Sequence, residues 1–287
     1  MRWPPPPDWP NQHASQRIYC KPHRWHVQMF GSGDTVLMLH GAGASTHTFR
    51  DLVPVLAEDY QVIAVDLPGQ GFTQLGARHR SGVSGMTNDL IALIAQEGWH
   101  PAAIVGHSAG GALALRLSQR VTAPRGGPPT IIGINPALEN FEGLAGLLFP
   151  ALAKFLSAVP FTAQLFATAT GTPERVEALI KSTGSQISPE GLSYYRKLIG
   201  NRDHADATLM MMAQWSLEDL LRDLPNITAR TQFIVGDKDT TVPPDVALKA
   251  AARMPDATMV RIADKGHLVH EETPEEIGQL ILEFLRQ

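Results

Sequence analysis

The chain has one cysteine, Cys20, among 287 residues, so no internal disulfide can brace it. That composition points to a reducing compartment, and a cytoplasmic protein is expected. It has no basic block: 24 Lys and Arg stand against 28 Asp and Glu, and the net charge of -4 leaves no electrostatic footprint for nucleic acid. No cluster of His, Cys and carboxylates has metal-ligand spacing, and a single thiol cannot build a thiolate site, so neither a metal nor another cofactor is expected. Gly41-Ala42-Gly43 lacks the spacing and the lysine of a phosphate-binding loop. The opening segment, with Trp3, Pro4–Pro7 and Asp8, lacks the basic-then-apolar order of a signal peptide. It reads as an extended, polyproline-like arm lying loosely on the body or packed against it. A long unbroken apolar run is also missing. Leu144 to Ala169 is almost wholly apolar, but Pro150 and Pro160 cut it into pieces shorter than the roughly 20 residues that cross a bilayer. Buried or cleft-lining helices are expected there, and membrane contact is not.

What the chain does have is apolar content, 44% of its residues, enough for one large core. Strands are expected over Arg17–Cys20 and Trp25–Phe30, around a turn at Lys21-Pro22, with a hairpin-type turn at Gly31-Ser32-Gly33-Asp34. Continuous apolar strands then alternate with helical spacing. Thr35–Leu39 precedes a helix over Phe49–Ala57, Val62–Val65 precedes one over Asp89–Gln96, and Ala102–Val105 and Ile131–Ile134 follow. This rhythm predicts an α/β fold with a mostly parallel sheet covered on both faces. It stops at Asn135-Pro136 and resumes at Gln232–Val235, followed by a helix over Pro243–Met254, a strand over Met259–Ile262 and a helix over Pro274–Leu285. Between them lies an apolar stretch without strand patterns, helical at Pro173–Ile180, Leu192–Ile199 and Thr208–Leu221. The expected organisation is a core of residues 1–136 and 231–287 with a helical lid at 137–230, set over the carboxyl ends of the strands, where such sheets bind ligands.

The densest chemical signal is Gly106-His107-Ser108-Ala109-Gly110-Gly111, between an apolar strand and the helical stretch Ala112–Leu117. Strand, Gly-x-Ser-x-Gly, helix lifts one serine onto a strained, exposed turn. A Cβ at Gly106 or Gly110 would collide with the neighbouring strand or helix at so sharp a corner. A serine hydroxyl needs a base of near-neutral pKa, itself held by an acid, and at such elbows the chain order is serine, acid, histidine. Beyond Ser108 the chain offers His204, His267 and His270. His267 follows the last strand and is the expected base. His204 falls in the lid, within reach of a substrate, and His270, near Glu271 and Glu272, is expected to be solvated or a local structural partner. The acid should leave the preceding strand, where Gly236-Asp237-Lys238-Asp239 supplies two. Asp239 lies far enough into the turn to face His267, whereas Asp237 is expected to cap the turn. Oxyanion donors are expected from the N–H groups of Ala109, after the nucleophile, and Ala42, in the loop His40-Gly41-Ala42-Gly43. His40 reads as structural. A serine at this position sets the chain apart from relatives of this fold, dehalogenases and epoxide hydrolases, that use aspartate.

The elbow, the His-Gly-Ala-Gly loop and the order Ser108, Asp239, His267 resemble the α/β-hydrolase superfamily over nearly the whole chain. The resemblance implies an eight-stranded, mostly parallel sheet with helices on both faces and a helical lid. A narrower resemblance is carried by Trp25-His26-Val27-Gln28, His40–His47, Asp66-Leu67-Pro68-Gly69-Gln70-Gly71-Phe72-Thr73, Gly106–Gly110, Thr183-Gly184-Ser185 and Met211-Met212-Ala213-Gln214-Trp215. These segments look like the magnesium-chelatase accessory proteins of bacteriochlorophyll synthesis. Gln70, where those relatives often carry His, and Ser216, where they often carry Asp, are departures outside the triad. The implied setting is the step that inserts magnesium into protoporphyrin, with magnesium chelatase or a porphyrin as partner. Three readings follow: a serine hydrolase acting on a small hydrophobic, ester-like substrate; a shell that binds porphyrin or assists the chelatase without catalysis; and a hydrolase of carbon–carbon bonds.

Overall fold

The computed structural model describes residues 1–139 and 172–287. Among these, eight strands form one sheet: β1 (Ser15–Cys20), β2 (His23–Phe30), β3 (Thr35–Leu39), β4 (Gln61–Val65), β5 (Pro101–His107), β6 (Thr130–Ile134), β7 (Thr231–Gly236) and β8 (Ala257–Ile262). Their order is β1-β2-β4-β3-β5-β6-β7-β8. The β1–β2 and β2–β4 pairs are antiparallel and all later pairs are parallel.

Strand composition explains the layering. Every residue of β3 is buried, so both faces of the strand need cover. Leu37 and Leu39 point into one apolar cluster with Ile63, Val65, Ile104 and Phe233. Val36 and Met38 point into the opposite one with Val62, Ala64, Val105 and Ile234. Helices α1 (Leu52–Leu56), α2 (Val83–Glu97) and α3 (Ala109–Ser118) follow β3, β4 and β5. Leu90, Leu93 and Leu113 cover the first face, while Leu52 and Leu56 cover the second together with Ile277 and Ile281 from the last helix.

The helical insertion between β6 and β7 contributes α4 (Pro173–Ser182), α5 (Pro189–Ile199), α6 (Arg202–Gln214) and α7 (Glu218–Asp223). The first three start on side-chain caps: Thr172, Ser188 and Asn201 accept the N–H groups of Arg175, Gly191 and His204, with Pro173 and Pro189 opening their helices. The buried or cleft-lining helices expected over Leu144–Ala169 fall outside the described residues. After β7 and β8 come α8 (Pro244–Ala251), α9 (Val269–Glu272) and α10 (Pro274–Arg286). None of the helices described is long and apolar enough to cross a membrane.

Three expectations need correction or sharpening. Gly31–Asp34 does not close a hairpin, because β4 pairs with both β2 and β3 and lies between them. A strand as apolar as β3 takes a central place with a parallel neighbour on each side. Thr208–Leu221 is two helices, not one. The backbone turns extended at Trp215, with ψ of 113°, and this break lets Trp215, Leu217 and Leu220 reach the main core. Of the two placements considered for the amino-terminal arm, the structure has it against the body. Trp9 is buried and packs edge-on to Phe72 and Tyr194.

Candidate active site

Ser108 occupies the turn between β5 and α3 with φ 52° and ψ -116°, a conformation an L-residue adopts only under strain. Close packing enforces it. A Cβ on Gly106 would be driven into the backbone of Gly110, and a Cβ on Gly110 into the carbonyl of Leu39 at the end of β3. The glycines thus let strand, turn and helix meet at one corner. Ser108 N–H donates to the carbonyl of Ile134 at the end of β6 (2.9 Å), and the side chain is left half-buried.

The two other residues of the expected triad meet each other. His267 Nδ1 lies 2.7 Å from Asp239 Oδ2, and both residues are buried. Because a carboxylate only accepts, Nδ1–H donates, and the lone pair resides on Nε2. Asp239 also does what was expected of Asp237: its Oδ1 accepts the N–H groups of Thr241 and Val242, each at 2.8 Å, and so caps the turn. Asp237 instead lies at the half-open surface and pairs with Arg261 of the adjacent β8 (2.6 Å). Two positions nearer the strand end, its side chain meets the neighbouring strand rather than the turn.

Two residues to which the sequence reading gave no role hold the His267 loop. The carbonyl of His267 receives His107 Nε2–H at 3.0 Å and Asn135 Nδ2–H at 2.8 Å. Asn135 Nδ2 also donates to the carbonyl of Gly266 (3.0 Å), and its Oδ1 accepts the N–H of Gly236 at the end of β7 (2.9 Å). A left-handed backbone, φ 41°, aims the Asn135 side chain into this gap. One amide therefore joins the end of the strand that leads to Asp239 to the loop that carries His267. The sequence marks Asn135-Pro136 only as the place where the apolar rhythm breaks, not as a support of the His267 loop.

The loop after β3 abuts the serine. A Cβ on Gly41 would lie 3.0 Å from Ser108 Cβ and 3.0 Å from His107 Nδ1. Ala42 is exposed on that loop, and Ala109 is the first residue of α3, whose leading N–H groups have no intrahelical partner. His40 is buried. Its Nε2 accepts the N–H of Leu67 (2.9 Å), so Nδ1 carries the hydrogen donated to the carbonyl of Gly41 (2.7 Å). Burial lowers its pKa, keeping it a neutral strut. Gln70 accepts the N–H of Gly43 (2.7 Å) and extends its own amide to Met211 Sδ of α6 (3.1 Å).

His204 of α6 performs a similar service. Its Nδ1 accepts the N–H of Gly71 (3.0 Å), and its Nε2–H donates to the carbonyl of Gly43 (3.1 Å). Burial, reinforced by the α-amino group of Met1, brings its pKa down to about 3. Both ring nitrogens are therefore spent on fastening the insertion to the core. Asp66 anchors the same loops: Oδ1 accepts Thr46 N–H (2.7 Å), and Oδ2 accepts Phe72 N–H (2.7 Å) and His26 Nδ1–H (2.6 Å). Burial alone would raise its pKa, but the neighbouring imidazoles and the backbone donor outweigh that and hold the carboxyl well below its usual range.

His270 is fully buried, so the structure keeps only the second of its two expected roles, and its partners lie across the fold rather than nearby in sequence. Its Nε2 lies 2.7 Å from Thr48 Oγ1, and its ring is 4.4 Å from that of His107. Thr48 Oγ1 and Tyr195 OH donate to Glu271 Oε1 at 2.6 and 2.7 Å, and Arg50 closes the cluster through Glu271 Oε2. Burial pushes the Glu271 carboxyl up although Arg50 opposes it, and burial lowers His270 to about 3. Among the described residues no group of three or more His, Cys, Asp or Glu side chains could hold a metal ion.

Comparison with known proteins identifies the family of this fold. The model of the alpha/beta hydrolase family matches residues 36–280. The magnesium-chelatase 30 kDa subunit of Rhodobacter capsulatus is 42% identical over 282 residues, covering 98% of this chain and 97% of the relative. Pimeloyl-(acyl-carrier protein) methyl ester esterase of Xanthomonas axonopodis pv. citri is 27% identical over 91% of this chain and 98% of its own. Among solved structures, the epoxide hydrolase CorEH superposes with a TM-score of 0.79 at 19% identity, covering 95% of this chain and 98% of that one, a likeness of fold. With a family model spanning most of its length and a relative matched nearly end to end, the chain belongs to the alpha/beta hydrolase family.

Proposed function

We propose that this protein is a serine hydrolase that cleaves a hydrophobic ester through an acyl-enzyme. The observation that carries the reading is the Asp239–His267 pair at 2.7 Å, on a loop whose carbonyl is bonded by the residue beside Ser108. Ser108 Oγ attacks the acyl carbon while its proton passes to His267 Nε2, and Asp239 holds the ring by Nδ1 and stabilises the imidazolium. The N–H groups of Ala42 and Ala109 receive the negative charge that develops on the carbonyl oxygen. The C–O bond breaks, the alcohol leaves with the proton from His267, and water activated by the same histidine releases the acid and restores Ser108. A serine in place of the aspartate of dehalogenase and epoxide-hydrolase relatives favours acyl chemistry, and the ester named for the Xanthomonas relative agrees with it. The apolar insertion favours a hydrophobic substrate. The likeness to a magnesium-chelatase subunit supports a role beside magnesium insertion into a porphyrin, in association with the chelatase.

A fluorophosphonate probe tests the chemistry. Intact-mass analysis should show one adduct on wild-type protein and none on Ser108→Ala, with p-nitrophenyl ester hydrolysis lost in parallel. Folded wild-type protein that takes up no probe would overturn the reading. A second reading, favoured by the name of the 42%-identical relative, is a non-catalytic shell for a porphyrin. Protoporphyrin binding that survives Ser108→Ala in a protein the probe does not label would establish that reading instead.

A further inference from the structure

Thr183-Gly184-Ser185 follows α4 inside the insertion, far in sequence from both the acid and the base, yet it touches the flanks of each. On the acid side, the carbonyl of Ser182 accepts the hydroxyl of Thr240 (2.6 Å), and the carbonyl of Thr183 accepts the N–H of Thr240 (3.4 Å). On the base side, the same Thr183 carbonyl accepts the N–H of His267 itself (3.2 Å). The buried Ser185 hydroxyl accepts the N–H of Leu268 (2.8 Å).

Gly184 fills the space between the two loops. Its φ of +80° is one that side-chain-bearing residues rarely adopt. A Cβ there would strike the carbonyl of Lys238 and come within 3.6 Å of Gly266 Cα. A Cβ on Gly266 would in turn strike Gly184 and Ser185. Lys238 and Thr240 bracket Asp239, and Gly266 and Leu268 bracket His267. The two loops also meet directly, Lys238 N–H donating to the carbonyl of Lys265 at 2.7 Å.

We infer that the Thr183–Ser185 turn of the insertion is a positioning element for the acid–base pair, with Ser185 and Gly184 setting where His267 stands relative to Asp239. The inference rests on the serine-hydrolase reading. It assigns to the insertion a part in the catalytic geometry. Asn135 supports the His267 backbone from the sheet side, and this turn supports it from the opposite chain segment. Removing the Ser185 hydroxyl takes away the partner of a buried N–H one residue from the base, and a small displacement there is costly to rate because proton transfer demands close alignment.

The test compares wild type, Ser185→Ala and Gly184→Ala in p-nitrophenyl ester hydrolysis, fluorophosphonate labelling and proton NMR of the imidazole N–H between His267 and Asp239. Ser185→Ala should lower kcat about tenfold with KM unchanged, and should shift or broaden the far-downfield imidazole resonance. Gly184→Ala should do the same more severely; should it fail to fold, Ser185→Ala decides alone. A folded Ser185→Ala with wild-type kcat and an unmoved resonance, whatever its Tm, overturns the inference while leaving the hydrolase reading intact. Wild-type protein that neither labels nor hydrolyses overturns both.

Discussion

Asn135 Nδ2 donates to the carbonyl of His267 at 2.8 Å while Oδ1 of the same side chain accepts the N–H of Gly236 at 2.9 Å. This amide bridges two residues 31 apart in sequence, one leading to Asp239 and the other His267 itself, the candidate acid and base. Asn135→Asp keeps the shape but turns a donor into an acceptor facing two carbonyls. Breaking a fully satisfied buried polar site should cost about 2–4 kcal/mol of stability. Urea denaturation measures it, and a loss below about 1 kcal/mol would show that those carbonyls find other donors.

The two candidate acids separate cleanly in the structure, and so should their variants. In Asp239→Asn the one remaining oxygen is held by the N–H groups of Thr241 and Val242, so the NH2 faces His267 Nδ1, imposes the wrong tautomer and should lower the labelling rate of Ser108 by about 10⁴-fold. Asp237→Asn removes only a half-exposed pair with Arg261, which should leave the rate within about twofold and the stability within about 1 kcal/mol. Equal losses from both variants would mean that the acid has been misassigned.

Gln70 couples the Gly43 loop to the insertion, so its replacement should be felt in turnover. Gln70→Ala removes the acceptor of the Gly43 N–H and should lower kcat about tenfold with little change in KM. Gln70→His retains a nitrogen acceptor and should recover most of the loss. Steady-state kinetics on one ester decides it; an alanine variant as active as wild type would remove Gln70 from the positioning of that loop.

Acid sensitivity follows from the buried histidines. His204 and His270 titrate near 3 when folded, against an ordinary value of 6.5. Between those values the unfolded chain binds more protons than the folded one. Their contribution is therefore complete above pH 6.5 and is lost as pH falls from 6.5 towards 3, by up to about 1.4 kcal/mol per pH unit for each ring. Asp66, whose folded pKa is lowered from 3.8, adds a further loss at lower pH. A plot of Tm against pH should slope steeply below 6.5 and flatten in a His204→Gln, His270→Gln double variant; an unchanged slope would exclude these two rings as its source.

Much of the site was legible because its chemistry is local. The Ser108 elbow needs glycines at fixed offsets, and the collisions expected for Gly106 and Gly110 are those the structure shows. Asp239 and His267 follow successive strands, and parallel neighbours bring strand ends together. The narrower resemblance was carried by segments that turn out to be neighbours in space. His26, Thr46 and Phe72 all bond Asp66, Gln70 reaches Met211, and Thr183–Ser185 braces the base loop. What misled was local reasoning applied to a long-range question. The turn at Gly31–Asp34 has hairpin composition, but its strands part because β4 slots between them. Asp237 has the composition of a turn cap, yet it is Asp239 that caps.

The alternation of strands and helices, the strained serine turn and the order of the candidate triad were readable from the residues alone, because steric exclusion and apolar periodicity act over a few residues. Which buried polar groups surround His267 was fixed by the packing of distant segments. A hydrogen-bond partner is chosen by proximity after folding, so nothing in the local sequence marks Asn135, His107 or Ser185 as supports of His267. The same holds for His204, which its position left within reach of a substrate, and for His270, left between solvent and a local structural role; burial made both neutral struts.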